Sequence, residues 1–169
     1  RLFGAEGARV LIADIDEVTV EVSRANRGHV KQALLKAGWP VQDLAGYTEG
    51  AHLERASLRR PGLSGLEWVS RDYQNGSVDA FYAGGAVRGG SGVVVLPCGA
   101  GKTIVGILAL SRVGQHTLVL TTGITALRQW KRELLERTEL IEEDIGEYSG
   151  EVKEIRPVRS SSSRFHWRN

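Results

Sequence analysis

LPCGAGKT, residues Leu96–Thr103, is the stretch from which the fold can be read outward. A nucleoside triphosphate is held by several backbone N–H groups converging on its oxygens, and Gly99 and Gly101 let a chain wrap that closely without side-chain clashes. At the start of a following helix, unsatisfied amides and the positive end of the helix dipole favour an anion. Lys102 is then placed to reach the β and γ phosphates and the Thr103 hydroxyl to ligate Mg²⁺. The strict phosphate-loop pattern asks for glycine at position 96, where this chain has Leu96, so a glycine-rich turn with a chance Lys-Thr pair is the alternative. The flanks favour the phosphate loop. Val93–Leu96 reads as a short, wholly apolar strand, Thr103–Leu110 as a largely apolar helix, and Thr117–Thr121 as a second apolar strand. Strand, loop, helix and strand in that order make a βαβ unit, and continuous apolar strands imply a parallel sheet covered on both faces. Cys98 reads as loop filler.

Downstream, a helix over about Thr125–Arg137 puts Leu127, Trp130 and Leu134 on one stripe and pairs Glu133 with Arg137 four residues on. Trp130 shares that stripe and is expected in the core. Upstream, Asn75–Tyr82 places Val78, Phe81 and Tyr82 on one helical face, and Gly84–Gly92 is a glycine-rich loop. Between Gly46 and Leu66 the sequence is rich in Gly, Arg and Ser, with a turn at Pro61-Gly62, and reads as a linker with a domain boundary near residue 60. Before it, Arg9–Val22 reads as two strands, the second with Val18, Val20 and Val22 on a buried face, and His29–Ala37 as a helix stopped by Gly38 and Pro40. The expected organisation is a small α+β domain over residues 1–60, an incomplete α/β phosphate-loop domain with a parallel sheet over 61–158, and a tail over 159–169.

With 41% hydrophobic and 25% charged residues the composition is that of a globular protein, and no run approaches the roughly 18 apolar residues of a membrane span. A cytoplasmic location is the default expectation, with no membrane partner. One cysteine supports no disulfide framework, and Arg1 opens no signal segment. The absence of methionine suggests an incomplete N-terminus. A net charge of +2 does not by itself argue for nucleic acid. The 17 arginines against 5 lysines suit bidentate phosphate contacts, and a G+C-rich genome explains the same bias. His29, His52, His116 and His166 show no metal-ligand spacing.

LPCGAGKT followed by Ile104-Val105-Gly106-Ile107 resembles motif I of the XPB helicases of superfamily 2, in which a loop of this variant form is normal. Arg71-Asp72-Tyr73-Gln74 resembles the RDYQ element ahead of motif I in that family. The resemblance implies a RecA-like domain in which Arg71, Gln74, Pro97, Cys98, Gly99, Ala100, Gly101, Lys102 and Thr103 bind ATP, Gln74 reads adenine, and Thr103 holds Mg²⁺. An amide that both donates and accepts is suited to adenine, although Gln74 could equally do no more than begin a helix. Thr117–Trp130, TLVLTTGITALRQW, resembles the region around motif Ia, which implies DNA-backbone contacts from Thr121, Thr122 and Gln129. Asp144–Pro157 is also similar, with no role carried over. The resemblance spans about Leu66–Val158, with a weaker similarity of residues 1–60 to a small damage-recognition domain.

What the resemblance implies is an ATP-dependent 3′-5′ DNA helicase or translocase in DNA repair, in nucleotide excision repair or duplex opening. ATP and Mg²⁺ are its cofactors. DNA is its partner, together with a repair nuclease or transcription-repair proteins, and its place is the bacterial nucleoid or the eukaryotic nucleus. Phosphoryl transfer also needs a carboxylate on Mg²⁺, a group to orient water, and an arginine. The family's Asp-Glu-Val-His motif should lie well beyond motif Ia, and its arginines in a second RecA-like domain. Lys102 is therefore a phosphate contact without a complete catalytic set, and these 169 residues are expected to bind nucleotide and DNA but not to hydrolyse ATP. Asp16-Glu17-Val18-Thr19 is no substitute, because it precedes the loop and lacks the histidine. Glu142-Glu143-Asp144 reads as a charged helix end or turn. Competing expectations are another superfamily 2 motor, such as a type III restriction subunit or phage-type repair helicase, a non-catalytic DNA-binding module, and a small kinase, for which no lid or acceptor site is evident. The tail, RSSSSRFHWRN, has no apolar periodicity and suggests a shifted or shortened reading frame. The nucleotide sequence after codon 169 tests that idea, with no helicase-like coding sequence in any frame counting against it.

Overall fold

KTIVGILALSRV, Lys102–Val113, is a helix that is apolar almost all round, the pattern of a helix buried on more than one side. The computed structural model, which describes residues 11–15, 17, 19–41, 49–85, 89–149 and 152–162, shows this outcome. Contacts divide the chain into two units, Arg1–Gly46 and Tyr47–Asn169.

In the first unit, β1 (Leu11–Asp14) and β2 (Val20–Val22) pair antiparallel and are followed by α1 (Arg27–Lys36). The buried strand face expected there is not seen. Val20 is 40% exposed, α1 buries no residue, and Val18 and Asp16 lie outside the described residues. A two-stranded ribbon has too few neighbours to close a core.

The second unit holds α2 (Asp72–Tyr82), α3 (Lys102–Val113), β3 (Thr117–Thr121), α4 (Ile124–Arg137), β4 (Ile145–Tyr148) and β5 (Val158–Ser162). β5 lies between β3 and β4 and is parallel to both, as an α/β unit requires. Ile107 and Leu110 of α3 pack with Leu134 of α4, Leu140, Ile145 and Val158, while Val105 and Leu108 pack with Val78 of α2. Full burial of such a side chain is worth about 1.5–3 kcal/mol. Trp130 is half-buried against this core, as its stripe predicts, and its ring occupies the space where a Cβ on Gly106 would sit. Gly106 therefore trades roughly 0.5–1 kcal/mol of helix propensity for close packing of α3 against α4. Arg137 Nε donates to Glu133 at 2.7 Å, the expected i,i+4 pair.

Three expectations are corrected. The boundary falls at Gly46/Tyr47, and the described residues from 49 on do not form a loose linker. Leu53 and Ala56 are buried in the α3–α4 core, and backbone bonds from Leu53 to Gly114, Arg59 to Arg137, Leu63 to Glu136 and Glu139 to Ser57 fasten the strap. Gly, Arg and Ser signal irregular backbone, which can still be fully bonded. Arg55 also donates twice to Asp144 at 3.0 Å, so the third residue of the acidic run is an ion-pair member set in a 3₁₀ turn, Glu142–Asp144. Second, Val93–Leu96 is not in a ladder. Val93 and Val95 are almost fully exposed, and Leu118 and Leu120 of β3 are exposed too, so the sheet is not covered on both faces. A strand needs a neighbour for its N–H and C=O groups, and none of the described strands lies beside that run. Third, Val158–Ser162 is the central strand, with Ser160 and Ser161 buried; residues 163–169 lie outside the described residues. Parallel ladder bonds run through the backbone, so serines without apolar periodicity can occupy a central position.

The Asp144 carboxyl is held below the usual range, first by the Arg55 hydrogen bonds, with the Ile141 N–H adding to the effect against the cost of burial. A depressed native value stabilises the fold above the unfolded carboxylate value of about 4 and loses that contribution as pH falls through the native value. Urea unfolding of the parent and of Asp144→Asn should therefore differ most near neutral pH, with the gap narrowing below about pH 4. A pH-independent gap would show that the pair does not titrate with folding.

Candidate nucleotide site

The described residues bring the RDYQ element onto the phosphate loop. Arg71, in extended conformation, caps α2, and its N–H donates to Gln74 Oε1 at 3.0 Å. Gln74 is thereby turned inward, 5% exposed, and its Nε2 donates to the Ala100 carbonyl at 3.0 Å. Tyr73 Oη donates to the same carbonyl at 2.8 Å and lies 3.3 Å from Arg71 Nη1. The Tyr73 contact was missed by sequence reasoning, although the residue stands inside the quoted element; only a neighbouring loop gives its hydroxyl a purpose.

The loop itself runs from Leu96, half-buried, through exposed Pro97, Cys98 and Gly99 to Ala100. Gly99 and Gly101 have φ +77° and +76°, the left-handed region that favours glycine. Gly101 has a second reason to lack a side chain, because a Cβ there would lie 2.6 Å from Gln74 Nε2. Gly101 is the N-cap of α3, so the first amides of that helix open toward the loop. Lys102 Nζ reaches back to the Pro97 carbonyl at 2.9 Å, so its ammonium lies along the loop. Thr103 is half-buried in the first turn. Arg71, Tyr73 and Leu96–Ala100 line a cavity of about 520 Å³, ample for part of a nucleotide. Left-handed glycines, a helix start and a lysine on the loop fit a polyphosphate and its Mg²⁺.

The three residues expected at DNA are placed differently from one another. Thr121 is buried, and its hydroxyl bonds to the carbonyls of Gly123 and Ser161, at 3.2 and 3.3 Å, so that proton is spent inside the sheet. Thr122 and Gln129 are exposed.

Gly101→Ala should lower the stability of this unit by about 1–2 kcal/mol from the left-handed backbone alone, and by more because of Gln74. Gly114→Ala is the control, since Gly114 has φ +62° with open space around it. Equal urea midpoints for the two variants would show that Gln74 yields without cost.

A family model described as type III restriction enzyme, res subunit, matches residues 67–166. The chain is 56% identical over 156 residues to the DNA 3′-5′ helicase XPB of Mycobacterium tuberculosis, a match covering 92% of this chain and 26% of that protein. It is 52% identical over 140 residues to the protein of the same name from Kineococcus radiotolerans, covering 82% and 23%. A Haloarcula marismortui protein named putative DNA 3′-5′ helicase Rad25 is 34% identical over 154 residues, covering 91% and 22%. The chain thus spans about a quarter of the length of these three relatives.

Proposed function

Because this chain belongs to the XPB helicases of superfamily 2 and its residues 67–166 match the type III restriction res-subunit family, we propose that it is the ATP-binding front part of a 3′-5′ DNA helicase or translocase acting in DNA repair. The observation that carries the reading is the docking of Tyr73 and Gln74 on a loop whose two left-handed glycines lead directly into α3.

In this reading the polyphosphate lies over the N-terminus of α3, drawn by its free amides and dipole. Lys102 exchanges the Pro97 carbonyl for phosphate oxygens, a stronger charge-assisted pairing. Thr103 supplies a hydroxyl ligand to Mg²⁺, which when bound neutralises phosphate charge. Arg71 and Tyr73 wall the cavity. Gln74 has one amide N–H and one oxygen lone pair beyond those already bonded, and adenine reading draws on these. Thr122 and Gln129 are the DNA-backbone candidates, and Thr121 is reassigned to holding β3 against β5.

The family model's own description keeps a type III restriction subunit as the second reading, and the identities above 50% to proteins named XPB favour the first. Relatives from Encephalitozoon cuniculi and Saccharomyces cerevisiae are named as subunits of general transcription and DNA repair factor IIH, which supports partner proteins of the repair or transcription class. Among the described residues no helix is long and apolar enough to cross a membrane.

Calorimetry of the 169-residue chain should show Mg-ATP binding that falls at least tenfold in Lys102→Ala, with ATP hydrolysis negligible in both. No binding by the parent would defeat the nucleotide reading, and turnover that disappears with Lys102→Ala would defeat the claim of inactivity.

A further inference from the structure

The Ala100 carbonyl accepts two hydrogen bonds from adjacent side chains of α2, Tyr73 Oη and Gln74 Nε2. A carbonyl oxygen has two lone pairs, so its acceptor capacity is fully used. The peptide joining Ala100 to Gly101 is planar and trans, so its N–H points opposite to its C=O. With the carbonyl drawn toward α2, the Gly101 N–H faces away from α2, at the start of α3, where a phosphate would be met. Tyr73 Oη is itself approached by Arg71 Nη1, which leaves the hydroxyl proton directed at Ala100.

We propose that Tyr73 is a positioning residue of the phosphate loop, whose hydroxyl, oriented by Arg71, sets the plane of the Ala100–Gly101 peptide so that the Gly101 N–H serves the polyphosphate. This rests on the nucleotide-binding reading. It assigns the Tyr73 hydroxyl to the phosphates and not to the base: its one proton is committed to the loop backbone, while Gln74 keeps an amide N–H and an oxygen lone pair beyond its own bonds for the base.

Tyr73→Phe keeps the ring and removes only the hydroxyl. In calorimetric titrations of the whole chain, it should weaken Mg-ATP and Mg-tripolyphosphate by the same factor, roughly 3- to 10-fold for one hydrogen bond. Amide hydrogen exchange across residues 98–101, measured without ligand, should accelerate, and the melting temperature should stay within a few degrees of the parent. Unchanged affinity for both ligands overturns the proposal. So does a loss confined to Mg-ATP, which would place the hydroxyl at the base, and so does a large fall in melting temperature, which would make Tyr73 a general packing residue. If the parent itself binds neither ligand, the nucleotide reading fails while loop exchange still decides whether Tyr73 holds the loop; unaltered exchange overturns the positioning role.

Discussion

Burial of α3 on two sides is the constraint from which the geometry at the loop follows. Ile107 and Leu110 commit one side of the helix to α4 and the sheet, and Val105 and Leu108 commit another to α2. A helix held on one stripe can roll; one held on two can neither roll nor slide without opening a cavity, at a cost of several kcal/mol. The first turn of α3 is therefore fixed relative to β4, β5 and α2 together. Gly101, Lys102 and Thr103 inherit that fixed position, so the amides proposed to meet phosphate are already set, and little ordering would oppose binding there.

The same rigidity reaches the loop from its other side through the strap. The side chain of Arg55 is fastened to Asp144, Trp68 Nε1 donates to the Arg59 carbonyl, and the guanidinium groups of Arg60 and Arg137 lie 5.1 and 4.9 Å from the Trp68 ring centroid. The chain leaves this cluster at Ser70, itself buried, and enters α2 at once. Arg71, Tyr73 and Gln74 thus approach Ala100 from an anchored start, not from a free linker. Arg55 is partly exposed, so solvent screening limits the stability this pair adds, and it also holds the strap in place.

The elements with strong periodicity were legible without coordinates. Leu127, Trp130 and Leu134 announced α4, the run of apolar residues after Lys102 announced α3, and the order of strand, loop and helix pointed to a nucleotide-binding α/β unit. What was illegible is what depends on neighbours distant in sequence. The strap's composition signalled turns and concealed its role in the core. Val93–Leu96 had every local property of a strand and lacks a ladder partner among the described residues, whereas Arg159–Ser161, with none of those properties, is paired on both sides.

By itself, then, the sequence determined the class of fold and the place of a glycine loop at a helix start, because backbone freedom and helix periodicity are local properties of neighbouring residues. Tertiary structure alone decided that Tyr73 and Gln74 share the Ala100 carbonyl, that the Thr121 hydroxyl is spent inside the sheet, and that the strap belongs to the second unit. Each of these depends on which donor meets which acceptor across tens of residues, and that is set by how the buried faces of α2, α3 and α4 pack together.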